Sequence, residues 1–146
     1  MNIFWFSGRS LKDLCSTTQV ALATGLVNRG HNLIFVNPDL EGSHTDHPWS
    51  HQSISTRAPL GLQSKVLGMK MRKWFTSKAF EEPSLAIVDW RIANALVPLL
   101  RQRNIPWVLM DRSPPADKGL LSLLQWPSWK RSWKLAMKEG PSCGCV

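Results

Sequence analysis

Two short apolar runs with one helical stretch between them open the chain, and no other feature restricts the fold as much. The first run, Asn-Ile-Phe-Trp-Phe-Ser at residues 2–7, is too short for a helix and rich in aromatic and β-branched side chains, which predicts a buried strand. Gly8, Arg9 and Ser10 end it. Residues 14–29 carry Val20, Ala23, Leu26 and Val27 at helical spacing, and Gly30 follows as the expected left-handed residue beyond the helix end. Residues 32–37 form a second buried-type strand, which Pro38 and Asp39 turn away. A right-handed crossover between two such strands leaves both carboxyl ends on one edge of the sheet, where open α/β folds hold their ligands. The expected fold class is therefore α/β, a Rossmann-like open and mostly parallel sheet with helices on both faces, in a single domain over residues 1–146.

The chain of 146 residues suits one packed core, and 43% hydrophobic content excludes a disordered composition. Its 18 Lys and Arg against 10 Asp and Glu give a net charge of +8, which favours phosphates, acidic lipid or nucleic acid as partners. Cys15, Cys143 and Cys145 are odd in number and poorly spread for a disulfide framework, so a reducing compartment is expected. No apolar run approaches a membrane span, and Met1 leads straight into the first strand. These features predict a cytoplasmic protein.

Residues 40–52 are polar and contain His44, His47 and His51 beside Asp46; their spacing fits neither one helix face nor a zinc hairpin, so a solvated loop without metal is expected. Residues 52–56 alternate as an edge strand that Pro59 ends. On a helix over 60–78, Leu60, Leu67, Met71, Trp74 and Phe75 fall within an arc of about 100°, with Lys65, Lys70, Arg72 and Lys73 off it. Two readings stay open: a core-facing stripe with a solvated basic face, or a helix leaning on an anionic membrane with Trp74 and Phe75 as anchors and the four basic residues on lipid phosphate.

Residues 83–117 repeat the opening pattern, with strands at 85–88 and 107–110 around a helix at 91–103 that Pro98 should kink or restart near Val97. The strands end in Asp89-Trp90-Arg91 and Asp111-Arg112-Ser113. Both ends should meet Ser7, Gly8 and Arg9 on the carboxyl rim; turn and cap chemistry is the competing explanation for each residue alone. Residues 118–125 are helical, and Pro127 is expected to begin a new helix reaching about Lys138. That helix has Trp126, Trp129, Trp133 and Met137 on one face and Lys130, Lys134 and Lys138 on another. Segregation of tryptophan from lysine favours packing over base stacking, so nucleic acid is not an expected partner. Gly140 and Pro141 end the helix, and residues 142–146 read as the start of a further strand.

The apolar strand, helix, Arg29-Gly30-His31 turn and second strand, with the element order down to Lys138, resemble the N-terminal domain of GT-B fold glycosyltransferases of the glycogen synthase and mannosyltransferase type. The resemblance implies the acceptor-side half of a transferase that moves a sugar from a nucleotide-sugar donor to a sugar or lipid-linked acceptor. It implies further that a donor-binding C-terminal domain is to be expected beyond this chain, that no cofactor belongs to this chain itself, and that the chain alone should show no turnover. With that activity the strand-end cluster is expected to serve the acceptor, Asp89 orienting or deprotonating its hydroxyl and Ser7, Gly8, Arg9, Trp90, Arg91, Asp111, Arg112 and Ser113 surrounding acceptor or phosphate, while the membrane reading of the helix over 60–78 would place the protein peripherally on the inner membrane face. The chain departs from the family in having one glycine, not a pair, after the first strand, and in having Asp89-Trp90 where a histidine often stands. The alternative from a different class is a stand-alone module that binds an anionic ligand or membrane surface without catalysis. A dinucleotide binder is disfavoured by the lack of a Gly-x-Gly-x-x-Gly loop after the first strand.

Overall fold

The computed structural model describes residues 1–13, 16–59, 61–79, 84–111, 114–115 and 119–138. Nine elements follow in the order β1 (Asn2–Phe6), α1 (Thr17–Asn28), β2 (Asn32–Asn37), β3 (Ser50–Ser53), α2 (Gln63–Thr76), β4 (Ser84–Asp89), α3 (Trp90–Gln102), β5 (Trp107–Met110) and α4 (Leu120–Lys138). The five strands make one sheet in the order β3-β2-β1-β4-β5, and every pairing is parallel. The expected open α/β architecture is what the residues adopt.

Alternation along the strands divides the core into two layers. Ile3, Trp5, Leu33, Phe35 and Ile87 face α1, where Ala23 is buried and Val20, Leu26 and Val27 pack against them. Phe4, Phe6, Val36, Ala86, Val88 and Leu109 face the opposite way, onto Leu67, Met71 and Phe75 of α2 and onto Ile92, Leu96 and Leu100 of α3. Burial on both faces explains why the strands read as continuous apolar runs.

Helix ends follow their sequence signals. After α1, Gly30 has φ +82°, its N–H donates to the Val27 carbonyl at 2.8 Å, and the His31 N–H donates to that of Leu26 at 3.2 Å. This pair of bonds is the Schellman motif expected of glycine there. α3 ends likewise: Asn104, at φ 52°, donates to Arg101 at 3.0 Å and Ile105 donates to Leu100 at 2.9 Å.

Three expected boundaries are corrected. β3 runs Ser50–Ser53, not 52–56, because the parallel register pairs Ile34 with Ser50 and Asn37 with Ser53. It is an edge strand as anticipated, but its residues are polar and side-chain bonds set its position. α3 runs unbroken through Pro98, which lies on the exposed side, so the missing N–H costs one intrahelical bond without a core clash. α4 passes through Pro127 as one helix instead of starting there. Tertiary bonds hold it: Asn94 Nδ2 donates to the Ser128 carbonyl at 3.1 Å and Oγ at 3.0 Å, and Ser132 Oγ donates to the Trp90 carbonyl at 2.7 Å. Met137 is 75% exposed and does not join the tryptophan face. Leu60, Arg112, Ser113, all three cysteines and the expected strand at 142–146 lie outside the described residues.

Close approach of α2 to α3 depends on Gly68, where a methyl group would lie 2.9 Å from the Ala95 Cβ and 3.6 Å from the Ile92 Cβ. Helix propensity favours alanine over glycine by about 1 kcal/mol, whereas overpacking costs about 1–3 kcal/mol. Contact is expected to win: Gly68→Ala should lower the melting temperature by roughly 2–4 °C, on the scale of a net loss of about 1 kcal/mol in a chain this long. Adding Ala95→Gly to it should relieve the clash. An equal or higher melting point for the single variant would contradict this packing.

Candidate functional site at the carboxyl rim

In a sheet ordered β3-β2-β1-β4-β5, the connections after β1 and β4 leave toward opposite faces, and the crevice between them is the switch point where such folds place ligands. Asp89, the last residue of β4, stands at that crevice and is 5% exposed. Its Oδ1 accepts the Arg91 N–H at 2.9 Å and so caps α3, which starts at Trp90. Its Oδ2 accepts the Gly8 N–H at 3.3 Å and lies 3.7 Å from Arg91 Nη1. Both Oδ2 contacts exceed the usual length of about 2.9 Å, which leaves that oxygen able to take a shorter bond. Burial raises the pKa of Asp89 above its ordinary value; the Arg91 charge, the N–H groups of Arg91 and Gly8, and the Arg9 charge only partly offset it. A buried carboxylate of raised pKa is a better proton acceptor than an exposed one.

Gly8 fits here because a methyl group would lie 3.2 Å from Arg91 Cβ and 3.4 Å from Asp89 Oδ2. Ser7 is buried, and its backbone N–H extends the β1–β2 ladder by donating to Val36 at 2.9 Å. Its Oγ accepts the Arg9 N–H at 3.2 Å, which shapes the turn after β1. The Arg91 guanidinium lies 4.6 Å above the Trp90 ring, within cation–π range. Ser7, Gly8, Arg9, Asp89, Trp90 and Arg91 therefore gather at one corner, although residues 9 and 89 are far apart in the chain.

Asp111 behaves differently. Its Oδ2 accepts indole N–H bonds from Trp129 at 2.6 Å and Trp133 at 2.5 Å, so it fastens α4 to the end of β5.

The expected solvated histidine loop is corrected. His44 is buried, with Nε2 at 2.7 Å from Asp39 Oδ2, and that same oxygen accepts the Leu11 N–H and the Asn37 Nδ2, both at 2.8 Å. Burial pulls the Asp39 pKa upward, but hydrogen bonds from Ser10, Leu11, His44 and Asn37 outweigh it and leave the carboxyl below its ordinary value. His51 Nε2 lies 2.8 Å from Asn37 Oδ1, and His47 stacks on Trp49 at 4.3 Å between ring centroids. The segment is a polar seal over the ends of β2 and β3. Asp39 carried a signal that could have revealed it, since an acid after an apolar strand is also the pattern of Asp89 and Asp111.

Burial and the nearby His44 hold the His51 pKa below its ordinary 6.5, against the pull of Asp39 and Glu41. The unfolded chain then binds the proton more readily, so His51 contributes stability at neutral pH that is lost as pH falls through 6.5 toward the folded value. Thermal melts at pH 7.5 and 5.5 should show a fall that His51→Gln, which keeps a donor for Asn37, reduces. An unchanged pH dependence in the variant would contradict it.

The basic set on α2 divides. Lys65, Lys70, Arg72 and Lys73 are all exposed, but Lys70 Nζ donates to the Ser55 carbonyl at 2.9 Å. Phe75 is fully buried, with edge-to-face contacts of 5.2 Å to both Phe4 and Phe6, so it has no access to a lipid surface; Trp74 is half-buried against Phe6. Among the described residues no helix is long and apolar enough to cross a membrane.

No family profile and no curated protein matches the chain by sequence. Its fold is similar to that of solved glycosyltransferases. Apo UGT2 of Phytolacca americana aligns with a TM-score of 0.64 at 13% identity, over 99% of this chain and 50% of that one. SsfS6, a glycosyltransferase of Streptomyces sp. SF2575, aligns at 0.60 and 14% identity, over 96% of this chain and 46% of that one. UGT2 complexed with UDP-2fluoro-glucose and pterostilbene aligns at 0.58 and 18% identity, over 75% and 30%. The chain thus has a glycosyltransferase-like fold and spans about half, or less, of these structures. These structures support the glycosyltransferase-like fold and give no support to the glycogen synthase and mannosyltransferase type in particular.

Proposed function

We propose that this chain is the acceptor-side half of a sugar-nucleotide-dependent glycosyltransferase whose reaction takes place at the Gly8–Asp89 corner. The observation that carries the reading is Asp89 itself: a buried carboxylate of raised pKa at the β1/β4 switch point, whose Oδ2 makes only long contacts among the described residues and feels the charges of Arg91 and Arg9. The acceptor hydroxyl would donate to Oδ2. Its oxygen then bonds to the anomeric carbon as the bond from that carbon to the donor phosphate breaks, the nucleoside diphosphate leaves with the electron pair, and Asp89 takes the hydroxyl proton. Arg9 and Arg91 would face the phosphate charge of donor or acceptor. Catalysis needs both substrates held together, so a donor-binding half, in the same or another chain, completes the site.

The test expresses the chain alone and the same chain with its downstream coding sequence or neighbouring reading frame, and follows nucleoside diphosphate released from nucleotide sugars. Turnover is expected only in the second case. Absence of any donor-binding unit that restores turnover would contradict the reading.

A further inference from the structure

A cleft of about 900 Å³ lies between α2, α3 and α4, and it shares Trp90 and Arg91 with the rim corner. Leu62, the N-cap of α2, and Lys65, Met69 and Arg72 on that helix line it at helical spacing. This stripe is distinct from the buried Leu67, Met71 and Phe75. A helix needs only one apolar stripe to join a core, yet α2 and its N-cap expose Met69 at 59% and Leu62 at 50% on the cleft side, alternating with two cations. α4 adds Arg131, and Ala95 of α3 adds a further apolar contact. Among the described residues that line it, four are cations and none is an acid. Among the described residues, no carboxylate lies within ion-pair distance of Lys65, Arg72 or Arg131. Like charges converging on a concave surface repel unless an anion joins them.

We infer that this cleft binds an amphipathic phosphate, a single molecule with an apolar chain and a phosphate head. The chain lies along Leu62, Met69 and Ala95, and the phosphate meets Arg72, Arg131 and Lys65. The volume is that of a small-molecule site, and the cations line a concavity, which suits one ligand better than a flat bilayer. Arg91 joins this cleft to Asp89. The ligand is thereby the acceptor of the transfer; that part rests on the function proposed above, whereas the binding does not.

The test is calorimetric titration of the whole chain with octyl phosphate below its micelle concentration, beside inorganic phosphate, octyl glucoside and phosphatidylglycerol vesicles. Saturable binding of octyl phosphate is expected. The double variant Arg72→Glu/Arg131→Glu should weaken it about tenfold or more, the scale of one charge-assisted hydrogen bond lost. Lys130→Glu/Lys134→Glu makes the same charge change at exposed α4 positions outside the cleft and should leave binding intact. All four side chains are exposed, so both variants should fold, as circular dichroism will verify. Equal weakening in the two variants, equal binding of inorganic phosphate or octyl glucoside, or binding of vesicles alone would overturn the inference. Saturable binding in a chain that never supports sugar transfer would keep the cleft and remove the transfer reading. Transfer to an uncharged acceptor, with no octyl phosphate bound, would do the reverse.

Discussion

Replacing Asp89 by Asn is expected to lower sugar transfer by the completed enzyme about 10²–10⁴-fold, the usual contribution of a positioned general base. Asn is as good an N-cap as Asp, so the bond from the Arg91 N–H survives while the proton acceptor is lost. Fold stability should therefore not suffer. Because burial raises the Asp89 pKa, the folded state favours the protonated carboxyl, and ionisation costs stability as pH rises from the ordinary 3.8 through the folded value. The Asn variant should accordingly melt no lower than the parent at neutral pH. Asp89→Ala, by contrast, removes the cap, at a cost of about 1 kcal/mol. Turnover rates and melting curves of the two variants separate the roles. Full activity in the Asn variant would reduce Asp89 to a helix cap.

The second large effect concerns stability. Phe75→Ala should destabilise the chain by about 3–5 kcal/mol, the range for removing a buried aromatic ring, out of a total of roughly 5–15 kcal/mol for a domain. Phe75 touches both inward-facing aromatics of β1, and the Arg103 guanidinium lies 5.6 Å from its ring. Arg103 also donates to the carbonyls of Phe75 at 2.9 Å, Thr76 at 2.7 Å and Lys78 at 3.0 Å, closing the C-terminal end of α2 with a cation. Lys73→Ala, two residues earlier and exposed, should change stability by no more than about 0.5 kcal/mol. Urea unfolding of the pair measures the contrast. Similar midpoints for both would mean that Phe75 is not a core residue.

Much of this architecture was legible because it rests on short-range pattern. Apolar runs at 2–7, 32–37, 85–88 and 107–110 could only be buried strands, and Gly30 could only end a helix. The rim corner followed from them, since parallel strands bring their ends together whatever their separation in the chain. What could not be read was set by partners in space. Whether Pro127 starts a helix or lies within one depends on Asn94 and Asp111, whose bonds to α4 span more than one element. The position of β3 depends on Asn37 and Asp39, because a polar edge strand carries no hydrophobic alternation. Phe75 looked available to a membrane only while the side of the helical arc that meets β1 was unknown.

The central claim, that chemistry belongs to the carboxyl rim at the β1/β4 crevice, is tested most directly by mapping amide shifts of the ¹⁵N-labelled chain during titration with pyrophosphate, the charge that Arg9 and Arg91 are proposed to face. Shifts are expected at Gly8, Arg9, Trp90 and Arg91. Shifts confined to the opposite rim, at His31, Asn104 and Ile105, with the corner unmoved, would contradict it.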